Sequence, residues 1–225
     1  MRSPTSTEEF ERRPKTARKS EIDTKTKLLN AAERLFSDKG IEAVSHRDIA
    51  LAAAVNLAAL NYHFRSRQAF IQAVIKRRVE PINAHRLAAL ARAERQMGGA
   101  PVPTDKILEA FFGPAVEDPN RSFQSSLWIG PDASPYRDYL IGLTMPVLDR
   151  FAGALRRSLP ARSDEDCHLY MCFALAILAF MLAGPRYLPG FLPLFANCMN
   201  ESVITQRMIK LVCGGLYGQA VVSAQ

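Results

Sequence analysis

Residues 45–64, SHRDIALAAAVNLAALNYHF, encode two short helices and a tight corner. Ser45 is a good N-cap with an acidic residue, Asp48, three positions later, so a helix should begin immediately and run to about Ala53. Asn56 should cap a second helix directly afterwards. Two helices at this spacing are typical of a helix-turn-helix.

The second helix has two different faces. A rotation of 100° per residue places Leu57, Leu60 and Phe64 on one side. The other side combines two alanines with Tyr62 and His63. Small side chains permit close approach to a DNA major groove, while Tyr, His and nearby Arg reach phosphates. The alternative interpretation is a helical corner in an ordinary bundle, because corner spacing alone is a weak signal.

The flanking sequence extends this pattern. A preceding helix is predicted from about Thr24 to Asp38, and its apolar pattern ends in Phe36, before Asp38-Lys39-Gly40. The two motif helices contain Arg47-Asp48-Ile49-Ala50 and Asn61-Tyr62-His63-Phe64. With these features, residues 24–70 resemble the DNA-binding domain of TetR-family transcriptional regulators along their whole length. The resemblance implies a homodimeric, ligand-responsive regulator, most often a repressor, that binds inverted-repeat operator DNA.

Two positions depart from the family pattern. Ala54 stands where Gly is usual, and we expect a backbone conformation there that tolerates a Cβ atom. Leu57 holds a place that is often polar, and we expect fewer polar base contacts than in many relatives.

The resemblance also implies which side chains contact DNA. Contacts with base edges, or shaping of the groove, are expected from Arg47, Ala58, Ala59 and Asn61. Phosphate contacts are expected from Ser45, Tyr62, His63 and Arg67.

Composition sets the frame for the whole chain. It has 225 residues, 48% of them hydrophobic, and a net charge of +7. No stretch requires a β-sheet, so we predict an all-α fold: an N-terminal three-helix helix-turn-helix domain and a larger C-terminal helical domain for ligand binding and dimerisation. The predicted segments are a disordered basic arm at 1–22, the DNA-binding domain at 23–70 and the effector and dimerisation domain at 71–225. A connecting helix should span 67–97.

Proline and capping residues divide the remaining chain. Pro81 should kink or break the connecting helix. Further helices are predicted to start at Thr104 and to span about 135–159, 164–184 and 201–220. The 164–184 helix is long and apolar enough for a membrane span, but we interpret it as a buried helix. In the resembled family the last two helices form a four-helix bundle between subunits, so the dimer interface is expected at Ile204, Met208, Leu211 and Gly215.

The C-terminal domain is rich in aromatic and Met side chains. A mainly apolar cavity with a few polar groups is typical of small-molecule sites. We therefore predict a pocket for a small, mainly apolar effector. Its expected lining is Phe111, Phe112, Arg121, Phe123, Trp128, Tyr136, Arg137 and Phe173, although each residue alone is more typical of a core.

Other classes of function find little support in the sequence. The four cysteines lack metal-ligand spacing, which indicates buried free thiols and neither metal nor cofactor. No nucleophile with a base and no phosphate-binding loop occurs, so we do not expect an enzyme. The N-terminal segment lacks an apolar core typical of a secretory signal, and a cytoplasmic protein is expected. The main alternative is a helical protein-interaction module of the same architecture without a working DNA-binding face.

Overall fold

The computed structural model describes residues 15–119, 127–128, 135–187 and 201–218. This part of the chain contains eight helices and no strand, which confirms the predicted all-α fold. It separates into two compact units, Met1–Val74 and Ile75–Gln225. The helices are α1 Lys15–Lys39, α2 His46–Ala52, α3 Leu57–His63, α4 Arg67–Gln96, α5 Thr104–Val116, α6 Arg137–Ser158, α7 Asp164–Tyr187 and α8 Glu201–Gly218.

The first helix starts earlier than predicted. We expected it to begin at about Thr24, after a disordered arm, but α1 begins at Lys15. The assignment of residues 15–22 to the disordered arm was therefore wrong. No Gly or Pro occurs between Lys15 and Lys39, so nothing in the sequence interrupts helix propagation over this range. The rest of the predicted arm lies outside the described residues.

An aromatic cluster forms the core of the N-terminal unit. The ring of Phe70 packs edge-on against Phe64 at 4.7 Å and against Phe36 at 6.5 Å, measured between ring centroids. Ile49 and Leu60, from the two motif helices, are fully buried in the same unit. Offset and edge-to-face aromatic pairs add about 0.5–1.5 kcal/mol beyond burial. This packing fixes α2 and α3 against α1.

Helix α4 runs without interruption through Pro81, so of the two predicted effects of this residue the break is wrong, and the kink stays a prediction. A proline within a helix costs about 3 kcal/mol because it removes one backbone hydrogen bond and crowds the preceding turn. Val79 and Ile82, on either side of the proline, are buried, and their packing offsets this cost. Both the boundary between the compact units and the boundary predicted at residue 70 lie within α4.

The C-terminal unit has its core between α5, α6 and one face each of α7 and α8. Phe111 of α5 packs edge-on against Phe151 of α6, with ring centroids 5.3 Å apart, and both side chains are fully buried. Polar contacts fix α4 to α6: the Glu94 carboxylate binds Arg150 and lies 2.6 Å from Arg157 Nη2. The bond to Arg150 is the main cause of the lowered pKa of Glu94.

Helix α7 is apolar on two opposite faces. One face, which includes Met171 and Leu178, is buried in the core, whereas Phe173 on the other face is 51% exposed. Cys172 is exposed as well, so the prediction of a buried thiol was wrong there. The segment Asp164–Leu182 of this helix is long and apolar enough to cross a membrane, judged by length and composition alone. The expectation of a buried helix holds for one face only.

The predicted dimer interface on α8 requires correction. Ile204 and Met208 are buried within their own subunit. The helical stripe through these residues packs on the C-terminal core, so it cannot also cover a partner. Leu211 is 64% exposed and Gly215 is exposed, so these two of the four predicted residues remain accessible.

Candidate DNA-binding surface and effector cavity

A reciprocal capping box starts α2. The backbone N–H of Ser45 donates to Asp48 Oδ2 at 2.8 Å, and the N–H of Asp48 donates to Ser45 Oγ at 3.2 Å. The Ser45 hydroxyl also donates to Asp48 Oδ2 at 2.6 Å, and these bonds lower the pKa of the carboxyl group. The predicted cap is confirmed. The Ser45 hydroxyl, predicted as a phosphate contact, already has a partner within the protein.

The corner between α2 and α3 is a Schellman motif. The N–H of Val55 donates to the carbonyl of Ala50, and the N–H of Ala54 donates to the carbonyl of Leu51. This pattern requires a left-handed residue, and Ala54 has φ of +52°. The expectation of a backbone that tolerates a Cβ atom was therefore wrong, because an L-residue in this region is strained.

Asn56 caps α3 as predicted, since its Oδ1 accepts from the N–H of Ala58 at 2.9 Å. The two faces of the helix also follow the prediction. Leu60 and Phe64 are buried, and the opposite face is accessible. Ala58, Asn61 and Tyr62 are exposed, and Leu57, Ala59 and His63 are half-buried.

Two further side chains lie at the surface near the corner. Arg47 is exposed on the first turn of α2. Leu51 is 83% exposed on the last turn, immediately before the corner. Sequence reasoning missed Leu51, although the same helical periodicity that places Ile49 and Ala50 inside places this residue outside.

Arg67 has a structural contact that was not predicted. Its Nη1 and Nη2 donate to the carbonyl oxygens of Val44 and Ile41, both at 2.8 Å. The guanidinium thus ties the start of α4 to the segment between α1 and α2. Its predicted contact with phosphate stays a prediction, and its substitution affects the domain itself.

The two histidines of the motif are shifted towards the neutral form. Burial is the main cause of the lowered pKa of His46, and the nearby charge of Arg67 adds to it. Burial also lowers the pKa of His63, with an opposing effect of Glu21 and a further lowering by Lys25. At neutral pH both imidazoles are mainly neutral, so His63 would meet a phosphate as a neutral N–H donor.

Most of the predicted pocket residues lie elsewhere. Phe111 and Phe112 are fully buried in the core and Tyr136 is buried, because α5 and the start of α6 use their aromatic side chains for packing. Arg137 and Phe173 are exposed. Arg121 and Phe123 lie outside the described residues. Among the described residues of the predicted lining, Trp128 alone borders the cleft described next.

An apolar cleft of about 870 Å³ lies between α6 and α7. This volume is within the range of about 300–1,000 Å³ typical of small-molecule sites. Its lining includes Trp128, Ile141, Thr144, Met145, Leu148, Cys172, Leu175, Ala176, Ala179, Phe180 and Leu211. The cleft is apolar and shares Trp128 with the predicted lining, and its role as an effector site stays a prediction.

A small polar cavity adjoins this cleft. It has a volume of about 30 Å³ and takes its polar character from Asn83 and Arg86 of α4 and from Thr144. The rest of its lining is mainly apolar and includes Trp128, Leu175 and Ala179, which line the cleft as Thr144 does. Within the described chain no group of three or more potential metal ligands occurs, here or elsewhere.

Arg86 carries a buried charge in this cavity. Its side chain is 5% exposed, its Nε donates to the carbonyl of Phe111 at 2.9 Å, and its Nη1 donates to Asn83 Oδ1 at 3.3 Å. The guanidinium also lies over the Phe111 ring, 4.3 Å from the centroid. Burial lowers its pKa to about 10, so it remains positively charged at neutral pH.

Sequence reasoning missed Arg86, although a signal was present. Val79, Ile82 and Leu90 form a buried apolar stripe at helical spacing, and Arg86 occupies the position between them on that stripe. A charged residue on a core-facing stripe is rarely buried without a partner. That combination could have drawn attention to it.

The capped corner, its exposed second helix and its aromatic core define the N-terminal unit as a helix-turn-helix domain. Residues 28–74 match the sequence model of the family described as "Bacterial regulatory proteins, tetR family". The HTH-type transcriptional regulator UidR of Escherichia coli K12 is 40% identical over 52 residues, which are 23% of this chain and 26% of that relative. The predicted resemblance to the TetR family is confirmed over residues 28–74, which form the helix-turn-helix domain.

Solved structures share the fold over most of the chain. The fatty acid degradation regulator FadR of Bacillus halodurans has a TM-score of 0.62 at 13% identity, covering 86% of this chain and 96% of that one. SCO4454, a TetR-family transcriptional regulator from Streptomyces coelicolor, has a TM-score of 0.59 at 18% identity, covering 86% and 94%. At these identities the likeness concerns the fold alone.

Proposed function

We propose that the protein is a homodimeric, ligand-responsive transcriptional repressor of the cytoplasm that binds an inverted-repeat operator. The observation that carries this proposal is the accessible face of α3 beside Arg47, held by two N-caps and an aromatic core. A rigid, small-residue face with an Arg at its edge suits major-groove binding. The net charge of +7 favours a polyanionic partner.

The exposure of individual side chains supports the proposed contacts with DNA. Arg47 is free to reach a guanine edge, where a bidentate contact discriminates by about 1–3 kcal/mol. Ala58 and Ala59 allow close approach, and Asn61 can contact base edges. Tyr62, which is exposed, and His63, which is half-buried, are proposed to contact phosphates.

We propose that the dimer interface includes the exposed apolar face of α7, in place of the buried stripe through Ile204 and Met208. Apolar side chains that are exposed on α7 and lie outside the cleft include Leu169 and Phe173. A two-fold axis would bury this face against its own copy, since a two-fold interface uses the same patch on both subunits. Two identical reading heads then match an inverted repeat.

The effector response is proposed from the cleft and from α4. An effector in the cleft would touch α6 and α7 directly and would reach α4 through the polar cavity. Helix α4 continues from the start of the C-terminal unit back to the DNA-binding unit. A tenfold change in operator affinity requires about 1.4 kcal/mol of coupling between the two sites.

Selection from random DNA duplexes tests the regulator proposal. We expect an inverted repeat to be enriched and sedimentation at micromolar concentration to show a dimer. Arg47→Ala should cost about 1–3 kcal/mol on the selected site and relax preference at one base pair. Arg92→Ala, an exposed change in the C-terminal unit, is the control. Monomers only, with no enriched repeat, would contradict the proposal and favour an interaction module.

A further inference from the structure

The polar cavity beside the cleft contains a positive charge without a counter-charge. Within the described residues, no Asp or Glu carboxylate forms an ion pair with Arg86, and burial is the one cause of its shifted pKa. Its bonds to Phe111 and Asn83 use Nε and Nη1, and Nη2 has no acceptor in this part of the chain. A buried charge normally has a partner that compensates its lost hydration.

A second polar group in the same cavity also lacks a partner. Thr144 is 2% exposed, and its Oγ1 forms no hydrogen bond in the described structure. Buried hydroxyl groups are nearly always hydrogen-bonded, so such an atom calls for an explanation. Thr144 borders both the cavity and the cleft, as do Trp128, Leu175 and Ala179.

We propose that this site binds an amphipathic carboxylate, whose head group pairs with Arg86 and Thr144 and whose apolar chain lies in the cleft. The inference rests on the proposed function in one respect: the molecule would be the effector of that regulator. Guanidinium and carboxylate match in geometry and charge, and the Thr144 hydroxyl donates a further bond. The cleft between α6 and α7 supplies the volume for the chain.

The volumes of the polar cavity and of the cleft fit a small head group and a larger apolar chain, respectively. About 30 Å³ is the space of roughly one water molecule, so the head group alone reaches towards the cavity. About 870 Å³ next to it, with an almost entirely apolar lining, accepts a hydrocarbon or aromatic body. The anion would compensate Arg86, and the chain would cover the apolar side chains of α6 and α7.

The chain contains one tryptophan, Trp128, and it borders both spaces. Its fluorescence therefore reports binding directly, without DNA. Full-length protein is titrated with decanoate, decan-1-ol and decyltrimethylammonium, which share one chain length and differ in head-group charge. We expect decanoate to bind at least tenfold more tightly than the alcohol, equivalent to about 1.4 kcal/mol, and the cation to bind least. The same order should appear in the shifts of melting temperature.

Matched variants assign the preference to named groups. Arg86→Met keeps the apolar stem but removes the charge, and should reduce decanoate affinity to that of the alcohol. Arg95→Met, an exposed change on the same helix, should leave both affinities unchanged. Thr144→Val retains Arg86 and the side-chain shape, and should weaken decanoate several-fold with no effect on the alcohol. This second variant keeps the test decisive if Arg86→Met does not fold.

Equal affinities for decanoate and decan-1-ol, or a preference that both Arg86→Met and Thr144→Val retain, would overturn the inference. Operator binding is measured on the same preparations. Protein that binds its operator without preferring the anion refutes the carboxylate site and supports the regulator. Protein that prefers decanoate through Arg86 but selects no DNA supports the site and refutes the regulator.

Discussion

Replacing Ala54 with glycine should stabilise the DNA-binding unit. Ala54 has φ of +52° at the left-handed position of the corner, where a residue with a Cβ atom pays about 1–2 kcal/mol. Glycine removes this strain but gains conformational entropy in the unfolded chain, which offsets about 0.4–1 kcal/mol. The net gain expected for Ala54→Gly is about 0.5–1 kcal/mol.

The neighbouring Ala53 provides the matched control. It has φ of −82° and ψ of −8°, a right-handed conformation that alanine adopts without strain. Ala53→Gly adds the same unfolded-state entropy without relieving strain, so it should destabilise the unit by about 0.5–1 kcal/mol.

The two variants should therefore move in opposite directions. Urea unfolding followed by far-ultraviolet circular dichroism measures the change, and amide hydrogen exchange over α2 and α3 assigns it to the corner. If Ala54→Gly destabilised the protein as much as Ala53→Gly does, the left-handed strain at the corner would be refuted.

Three further outcomes are expected. Phe173→Arg should give a folded monomer, whereas Ile204→Arg should unfold the protein because it buries a charge within the subunit; sedimentation and circular dichroism separate the two. Arg67→Met should lower the melting temperature, because the backbone carbonyls of Ile41 and Val44 lose their hydrogen-bond donors, at a cost of about 1–3 kcal/mol. The lowered pKa values of His46 and His63 mean that the unfolded chain binds protons first, so stability should fall as the pH drops below about 6.5.

Controls for these outcomes are available in the chain. Arg65→Met changes an exposed arginine two residues from Arg67 and should leave the melting temperature unchanged. Gln at both motif histidines should flatten the pH profile above about pH 5, whereas Gln at the exposed His85 should not. A Phe173→Arg protein that stays dimeric would move the interface away from the outer face of α7.

Local chemistry explains what the sequence predicted well. Ser45, Asp48 and Asn56 act on backbone groups within three residues, so the starts of α2 and α3 could be inferred without knowledge of the tertiary structure. The start of α1 was missed although Pro14 directly precedes it, because the basic run from Arg12 to Lys19 was interpreted as part of a disordered arm.

The remaining errors concern tertiary packing, which helical periodicity does not determine. Periodicity identifies an apolar stripe on a helix but cannot say whether that stripe meets its own core or another subunit. Ile204 and Met208 therefore looked the same as Phe173 in the sequence. For the same reason Phe111 and Phe112 were assigned to a pocket, whereas Arg86, a single charge on an apolar stripe, was overlooked.

The two apolar faces of α7 would also make the thermal stability of the protein depend on its concentration. If the outer face is covered by a second copy, every subunit that dissociates exposes Leu169 and Phe173 to water. The midpoint of thermal unfolding then rises with protein concentration, because mass action favours the associated, folded form. At a low cellular concentration more subunits would be dissociated and would therefore be degraded faster. This would set a lower limit to the concentration at which a cell can maintain the protein.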